Sequence, residues 1–221
     1  MPEILFDKRD HVAWVTINRP AKKNTLNAAV FVELAAAWQE VRDDDNVWTA
    51  VLSGSGEEDF CCGGDLKEVM RLWLGQKEPE NAIERAILAD PLIADKVLLK
   101  DQPLYKPVIS AINGRALGGG CELMLHSDAV AAHMETYPGL VEVGVGLIPA
   151  WGGCKELLIR NLGEQKAGGG MLSNLKAAGG AMPAIKSVFE SIALAKVNGS
   201  AEEAKDAKLL RESDAITMNR A

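Results

Sequence analysis

The chain has 221 residues, 48% hydrophobic and 25% charged, enough for one globular domain with a real core and too few for a second full domain. A net charge of −7 excludes nucleic acid as the main partner, because phosphate binding needs a basic face. The amino terminus turns charged at Glu3 and Asp7, and no apolar run reaches the ~18 residues of a membrane span, so a soluble, unexported, cytoplasmic protein without a membrane partner is expected. Cys61, Cys62, Cys121 and Cys154 lack C-x-x-C spacing and read as free thiols in a reducing compartment, with no metal site.

Residues 11–18 are β-branched and run into Asn18-Arg19-Pro20, a strand followed by a turn. Arg19, Lys22 and Lys23 form a local basic cluster, either a solvated turn or a place to hold a phosphate group. Asn27 offers an N-cap for a helix to about Arg42, with Val30, Phe31, Leu34, Trp38 and Val41 on one face. A strand over 48–53 ends at Gly54-Ser55-Gly56, and a helix is expected from about Asp65 through Leu66, Val69, Met70 and Trp73. The mixed, charged stretch 75–102 reads as helical. Lys106-Pro107 introduces a strand over 108–112, Gly118-Gly119-Gly120 opens a helix, a short strand covers 128–132, and Ile148 to Gly153 turns into another helix. Strand and helix thus recur as ββα-like units, which implies a layered α/β domain over 1–162. Residues 163–184, with Gly168-Gly169-Gly170 and Gly179-Gly180, read as a glycine-rich insertion or linker. Residues 185–221 read as a C-terminal helical segment in which Ser200 to Glu203 has capping-box character.

Glu122 and Glu142 carry the clearest chemical signal. Glu122 follows the three glycines that end an apolar strand and open a helix, an arrangement that leaves bare backbone N–H groups suited to an anion or a developing oxyanion. Phe60-Cys61-Cys62-Gly63-Gly64-Asp65 makes a second such place, and Glu142 lies in the glycine-bounded turn from Gly139 to Gly144. Two N–H donors and two carboxylates are the parts for acid–base chemistry through an enolate. The plainer alternatives are a first-turn Glu122 that complements the helix dipole, a solvated Glu142, and glycines that serve tight turns. His126, four residues after Glu122, reads as a satisfied core or semi-buried histidine, Cys121 as a small buried hydrophobe, and Trp73 and Trp151 as core or pocket wall.

Asn18-Arg19-Pro20, Lys23-Asn24-Thr25-Leu26-Asn27, residues 60–68, Lys106-Pro107-Val108, residues 113–122 and Gly146-Leu147-Ile148-Pro149 occur in an order that resembles the crotonase (enoyl-CoA hydratase/isomerase) superfamily over about 12–160. The resemblance implies a crotonase (ClpP-like) α/β fold of repeated ββα units with a short helical C-terminal extension, assembled as a homotrimer or homohexamer. It implies an acyl-CoA thioester substrate and no separate cofactor, since coenzyme A is part of the substrate. The N–H groups of Gly64 and Gly119 then form an oxyanion hole, and Glu122 and Glu142 fall on the two catalytic glutamates of hydratases. Lys23, Asn24, Leu26, Cys62, Gly64, Asp65, Leu66 and Lys67 fall on coenzyme A contacts. The activity implied is addition of water across the 2,3 double bond of an enoyl-CoA in fatty-acid or related acyl-CoA degradation. The alternatives are an isomerase, another thioester lyase of the family, or a module that binds acyl-CoA without turnover. Residues 139–149 and 190–197 resemble the hydratase portion of fused hydroxyacyl-CoA dehydrogenase/hydratase proteins, although no G-x-G-x-x-G fingerprint occurs here. Against the family pattern, Ala221 falls short of the helices that normally close the acyl pocket and the trimer contact.

Overall fold

A computed structural model describes residues 1–100, 104–163 and 182–219. In β2 (Val12–Ile17) Ala13, Val15 and Ile17 are fully buried while their neighbours are half-buried, and β3 (Thr49–Gly54) and β5 (Val108–Ile112) repeat this alternation. A period of two turns one face of each strand to the core. β1 (Ile4–Arg9) folds back antiparallel on β2 through Asp10 and His11, both at positive φ. The remaining strands of this sheet, including β7 (Ala129–His133) and β9 (Ala215–Thr217), are parallel, in the order β1-β2-β3-β5-β7-β9.

Three strands of three residues each, β4 (Asp59–Cys61), β6 (Arg115–Leu117) and β8 (Tyr137–Gly139), form a second parallel sheet in the order β4-β6-β8. Each follows a strand of the large sheet, so β3-β4, β5-β6 and β7-β8 are the strand pairs of the ββα units. The first member joins the large sheet and the second joins the small one.

α1 (Ala28–Asp43) starts where expected: the Asn27 side chain accepts the Val30 N–H at 2.9 Å, a cap that contributes about 1 kcal/mol. Its buried residues Phe31, Leu34, Trp38 and Val41 face α3 (Ala82–Ala89), α4 (Ile93–Val97) and the β1-β2 ribbon. Each such side chain contributes about 1.5–3 kcal/mol when fully buried. Trp38 also donates its indole N–H to the Val97 carbonyl at 3.0 Å.

Three expectations need correction. The helix expected from Asp65 begins only at Val69 (α2, Val69–Trp73), because the Asp65 carboxylate accepts the N–H groups of Lys67 and Glu68 at 3.1 and 3.3 Å and holds a turn instead. The stretch 75–102 is broken rather than continuously helical: Asn81 caps α3, and Asp90-Pro91 separates it from α4, since the residue before proline disfavours helix. After α6 (Gly153–Gly163), the carboxyl-terminal segment has α7 (Met182–Ala193) and α8 (Ala201–Asp206) but then returns to the large sheet as β9 beside β7, where Asp214 accepts the Val130 N–H at 3.0 Å. At α8 the Ser200 hydroxyl accepts the Glu203 N–H at 3.1 Å, and the Glu203 carboxylate reaches back to the Gly199 N–H at 2.7 Å. The glycine-rich insertion or linker expected over 163–184 lies almost wholly outside the described residues. Among the described residues no helix is long and apolar enough to cross a membrane.

Candidate active site

The small sheet positions the site, since ligands on parallel α/β sheets lodge beyond the carboxyl ends of the strands. β4 runs into Gly63-Gly64, β6 into Gly118-Gly119, and β8 into the turn that carries Glu142. Gly63 has φ +82° and Gly118 φ +53°, conformations that only glycine adopts readily. The two turns lie against each other, because a β-carbon on Gly63 would sit 3.0 Å from the Gly119 nitrogen and from the Leu117 carbonyl oxygen. Gly118 donates its N–H to Gly139 at 2.9 Å, while Leu26 donates to Gly63 at 2.8 Å and accepts from Asp65 at 2.9 Å. These bonds leave the N–H groups of Gly64 and Gly119 without a protein acceptor among the described residues. Gly119 is the first residue of α5 (Gly119–His126), where first-turn N–H groups have no partner inside the helix and the dipole is positive.

The two carboxylates meet the same space. Glu122 lies in the first turn of α5, 1% exposed, and its Oε1 accepts the Gly153 N–H at 2.8 Å. Burial pushes its carboxyl from 4.5 up to about 7; hydrogen bonds from the Gly153 and Trp151 backbones oppose the shift, and the charge of Glu142 adds to it. Glu142 opens the 3-10 turn Glu142–Val145, and both its carboxylate oxygens are buried without a protein partner among the described residues. Burial raises its carboxyl too. Oxygens left this way cost stability, and such groups concentrate at functional sites. Gly64, Gly119, Glu122 and Glu142 all line one cavity of about 320 Å³, walled by apolar side chains that include Met70, Trp73, Leu147 and Trp151. A larger hollow of about 490 Å³, bordered by Asn161, Ser187 and Glu203, is lined by none of the residues expected at the site.

The solvated reading of Glu142 does not hold, because neither of its carboxylate oxygens faces solvent, and Glu122 is no surface residue of the helix start. The residues expected to contact coenzyme A divide. Cys62, Gly64 and Leu66 line the cavity, and Lys23 and Lys67 are exposed. Asn24 and Leu26 are fully buried: Asn24 accepts the Arg19 N–H at 2.9 Å and donates to the Ser55 and Asp59 carbonyls, and Leu26 belongs to the core. Asp65 pairs with Arg19 and accepts from Thr25, each at 3.3 Å. These side chains shape the loop. Arg19 drops out of the basic cluster: it is 7% exposed and faces Glu3, Asp65 and Glu68, which leaves Lys22 and Lys23 as the exposed cations.

His126 is only half satisfied. One ring nitrogen lies 2.8 Å from the Glu122 carbonyl, and Nε2 is buried without a partner among the described residues, close to Gly152. Cys121 is fully buried with its thiol pushed up by desolvation, the behaviour of a small hydrophobe. Sequence reasoning missed Gly153, which orients Glu122. A β-carbon there would sit 2.7 Å from Leu140 and 3.0 Å from Glu122 Oε1, and the only sequence signal was a glycine pair at a helix start.

Two N–H groups without an acceptor among the described residues and two buried carboxylates, all on one apolar cavity, define a site suited to acid–base chemistry on a carbonyl compound that passes through an oxyanion. The family model for enoyl-CoA hydratase/isomerase matches residues 7–181, and the chain belongs to that family. It is 36% identical over 154 residues to a short-chain-enoyl-CoA hydratase of Clostridium acetobutylicum, an alignment that covers 70% of this chain and 55% of the relative. It is 30% identical over 215 residues to a "Probable 3-hydroxyacyl-CoA dehydrogenase" of Bacillus subtilis, covering 97% of this chain and 24% of that protein. The crystal structure of carnitinyl-CoA hydratase from Mycobacterium avium superposes with a TM-score of 0.72 at 28% identity, over 98% of this chain and 69% of that one. The fold is that of the crotonases, and the chain spans little more than half the length of the hydratase relative.

Proposed function

We propose that this protein is an enoyl-CoA hydratase. The observation that carries the reading is the joint burial of Glu122 and Glu142 on the cavity that Gly64 and Gly119 also line. The two N–H groups hold the thioester oxygen. One carboxylate takes a proton from water as its oxygen attacks the β-carbon, the double-bond electrons pass onto the thioester oxygen as an enolate, and the other, protonated carboxyl delivers its proton to the α-carbon. The product is a 3-hydroxyacyl thioester. Such addition needs one ionised and one protonated carboxyl together; burial raises both carboxyls, Glu122 to about 7, so that Glu122 still carries its proton at neutral pH in about half of the molecules. Isomerisation moves one proton within the substrate and needs a single shuttle, so the second buried carboxyl favours hydration.

Coenzyme A enters as part of the substrate and no other cofactor takes part; the exposed Lys22, Lys23 and Lys67 are the cations for its phosphates. The protein works as a homotrimer or homohexamer in fatty-acid or related acyl-CoA degradation, and its four free cysteines suit a cytoplasmic setting. Crotonyl-CoA tests the reading: the enoyl-thioester absorbance is expected to fall as a 3-hydroxyacyl-CoA accumulates. Double-bond migration, or binding without conversion, would overturn it in favour of an isomerase or a non-catalytic module.

A further inference from the structure

Trp73 and Trp151 line the catalytic cavity of about 320 Å³ and also a second hollow of about 220 Å³ on their far side. Ile87 and Leu88 from α3 and Ile93 and Ala94 from α4 supply most of the apolar lining of that second hollow. The two indoles therefore stand between the reacting centre and an apolar space that an acyl tail would otherwise enter.

The partition is braced. Trp73 and Trp151 meet edge to face at 5.8 Å and 83°, and fully buried Phe31 packs edge to face on both, at 4.9 Å and 78° on Trp73 and 5.6 Å and 73° on Trp151. Three mutually perpendicular aromatic pairs add to the area they bury, so neither indole moves without losing two ring contacts. The partition is also close to the chemistry. A β-carbon on Gly119 would lie 2.5 Å from the Trp151 ring and one on Gly64 3.5 Å from it, so this indole rests on the two glycines whose N–H groups face the thioester oxygen. A carbonyl held there lies beside the Trp151 face of the partition.

We propose that the Trp73–Trp151 pair ends the acyl pocket and restricts the enzyme to short-chain enoyl thioesters. The proposal rests on the acyl-thioester reading of the site. In an apolar pocket each methylene accepted or refused changes kcat/KM by about 10–200-fold, so a wall placed this near the carbonyl discriminates strongly between short and long tails.

The test uses the whole chain and compares kcat/KM for crotonyl-CoA and trans-2-decenoyl-CoA in the wild type, Trp73→Ala and Trp151→Ala. The wild type is expected to favour crotonyl-CoA at least tenfold, and each variant to shift the ratio towards the long substrate at least tenfold, as the two hollows join. Trp73→Leu, milder for folding, is expected to shift it in the same direction. Affinities for butyryl-CoA and decanoyl-CoA, measured by calorimetry, separate the wall from the hydratase reading. If no enoyl-CoA is turned over, the hydratase reading fails, yet the wall still requires the wild type to prefer butyryl-CoA and the variants to lose that preference. A wild type indifferent to chain length, or a ratio unmoved in all the folded variants, overturns the proposal; no affinity for any acyl-CoA overturns it together with the reading beneath it.

Discussion

Glu122→Gln separates stability from chemistry. Raising this carboxyl from 4.5 to about 7 in the folded state corresponds to about 3 kcal/mol against ionised Glu122 in its buried seat. The sign follows from linkage: below pH 4.5 the group is protonated in both states and contributes no difference. From 4.5 to about 7 the unfolded chain ionises while the fold keeps its proton, so stability falls as pH rises, and above about 7 the loss is complete. Glutamine has no charge to bury, and its amide oxygen can still accept the Gly153 N–H. Its NH₂ needs an acceptor, which costs about 1–3 kcal/mol if none is found, although the unpartnered Glu142 oxygens stand on the same cavity. The variant is therefore expected to be about 1–3 kcal/mol more stable than the wild type at pH 8.5, equal or slightly less stable at pH 4.5, and about 10²–10⁴-fold slower in hydration. Urea denaturation across that pH range, with crotonyl-CoA turnover in parallel, measures both. A stability difference that does not grow with pH would refute the assignment of a buried, neutral-biased carboxyl, and unchanged turnover would remove Glu122 from the reaction.

Gly119→Pro and Gly64→Pro delete the two N–H donors, and each is expected to lower turnover about 10²–10³-fold in protein shown by circular dichroism to be folded; a folded, fully active variant sinks the oxyanion-hole assignment at its position. The kcat/KM of the wild type is expected to fall on the alkaline side as Glu122 loses its proton above about 7, and on the acid side as Glu142, raised by burial, gains one. A profile flat from pH 5 to 9 would contradict a proton-donating Glu122. Light scattering is expected to show three or six copies of the 23.7 kDa chain, because Phe189 and Leu194, 69% and 78% exposed, present apolar surface that a neighbour would cover. A fully active monomer would refute the assembly.

Four strands of the large sheet and α1 were legible because alternation or helical spacing persists there over five residues or more, as in Ala13, Val15 and Ile17 or Phe31, Leu34 and Trp38, whereas the edge strands β1, with only Ile4 buried, and β9, three residues long, were not read. The small sheet was not, since strands of three residues such as Arg115–Leu117 carry no measurable period, although they position the candidate site. The glycine turns and both glutamates could be read from composition and order; their convergence on one cavity could not, because it depends on pairing between strands far apart in sequence. The internal hydrogen bonds of the Asn24 and Asp65 side chains were not legible either, because partners such as Asp59 and Thr25 lie 35 and 40 residues away and only the fold brings them together. The aromatic partition was legible only as two tryptophans, since Phe31, Trp73 and Trp151 come from three separate elements.

The most direct measurement is the fate of labelled solvent oxygen when crotonyl-CoA is incubated in H₂¹⁸O with the wild type and with Glu142→Gln. The account predicts one ¹⁸O atom at the β-carbon of a 3-hydroxybutyryl-CoA product with the wild type, and a rate about 10²–10⁴-fold lower with the variant. Unlabelled crotonyl-CoA recovered from the wild type, or labelling that proceeds at the same rate without the Glu142 carboxylate, would contradict it.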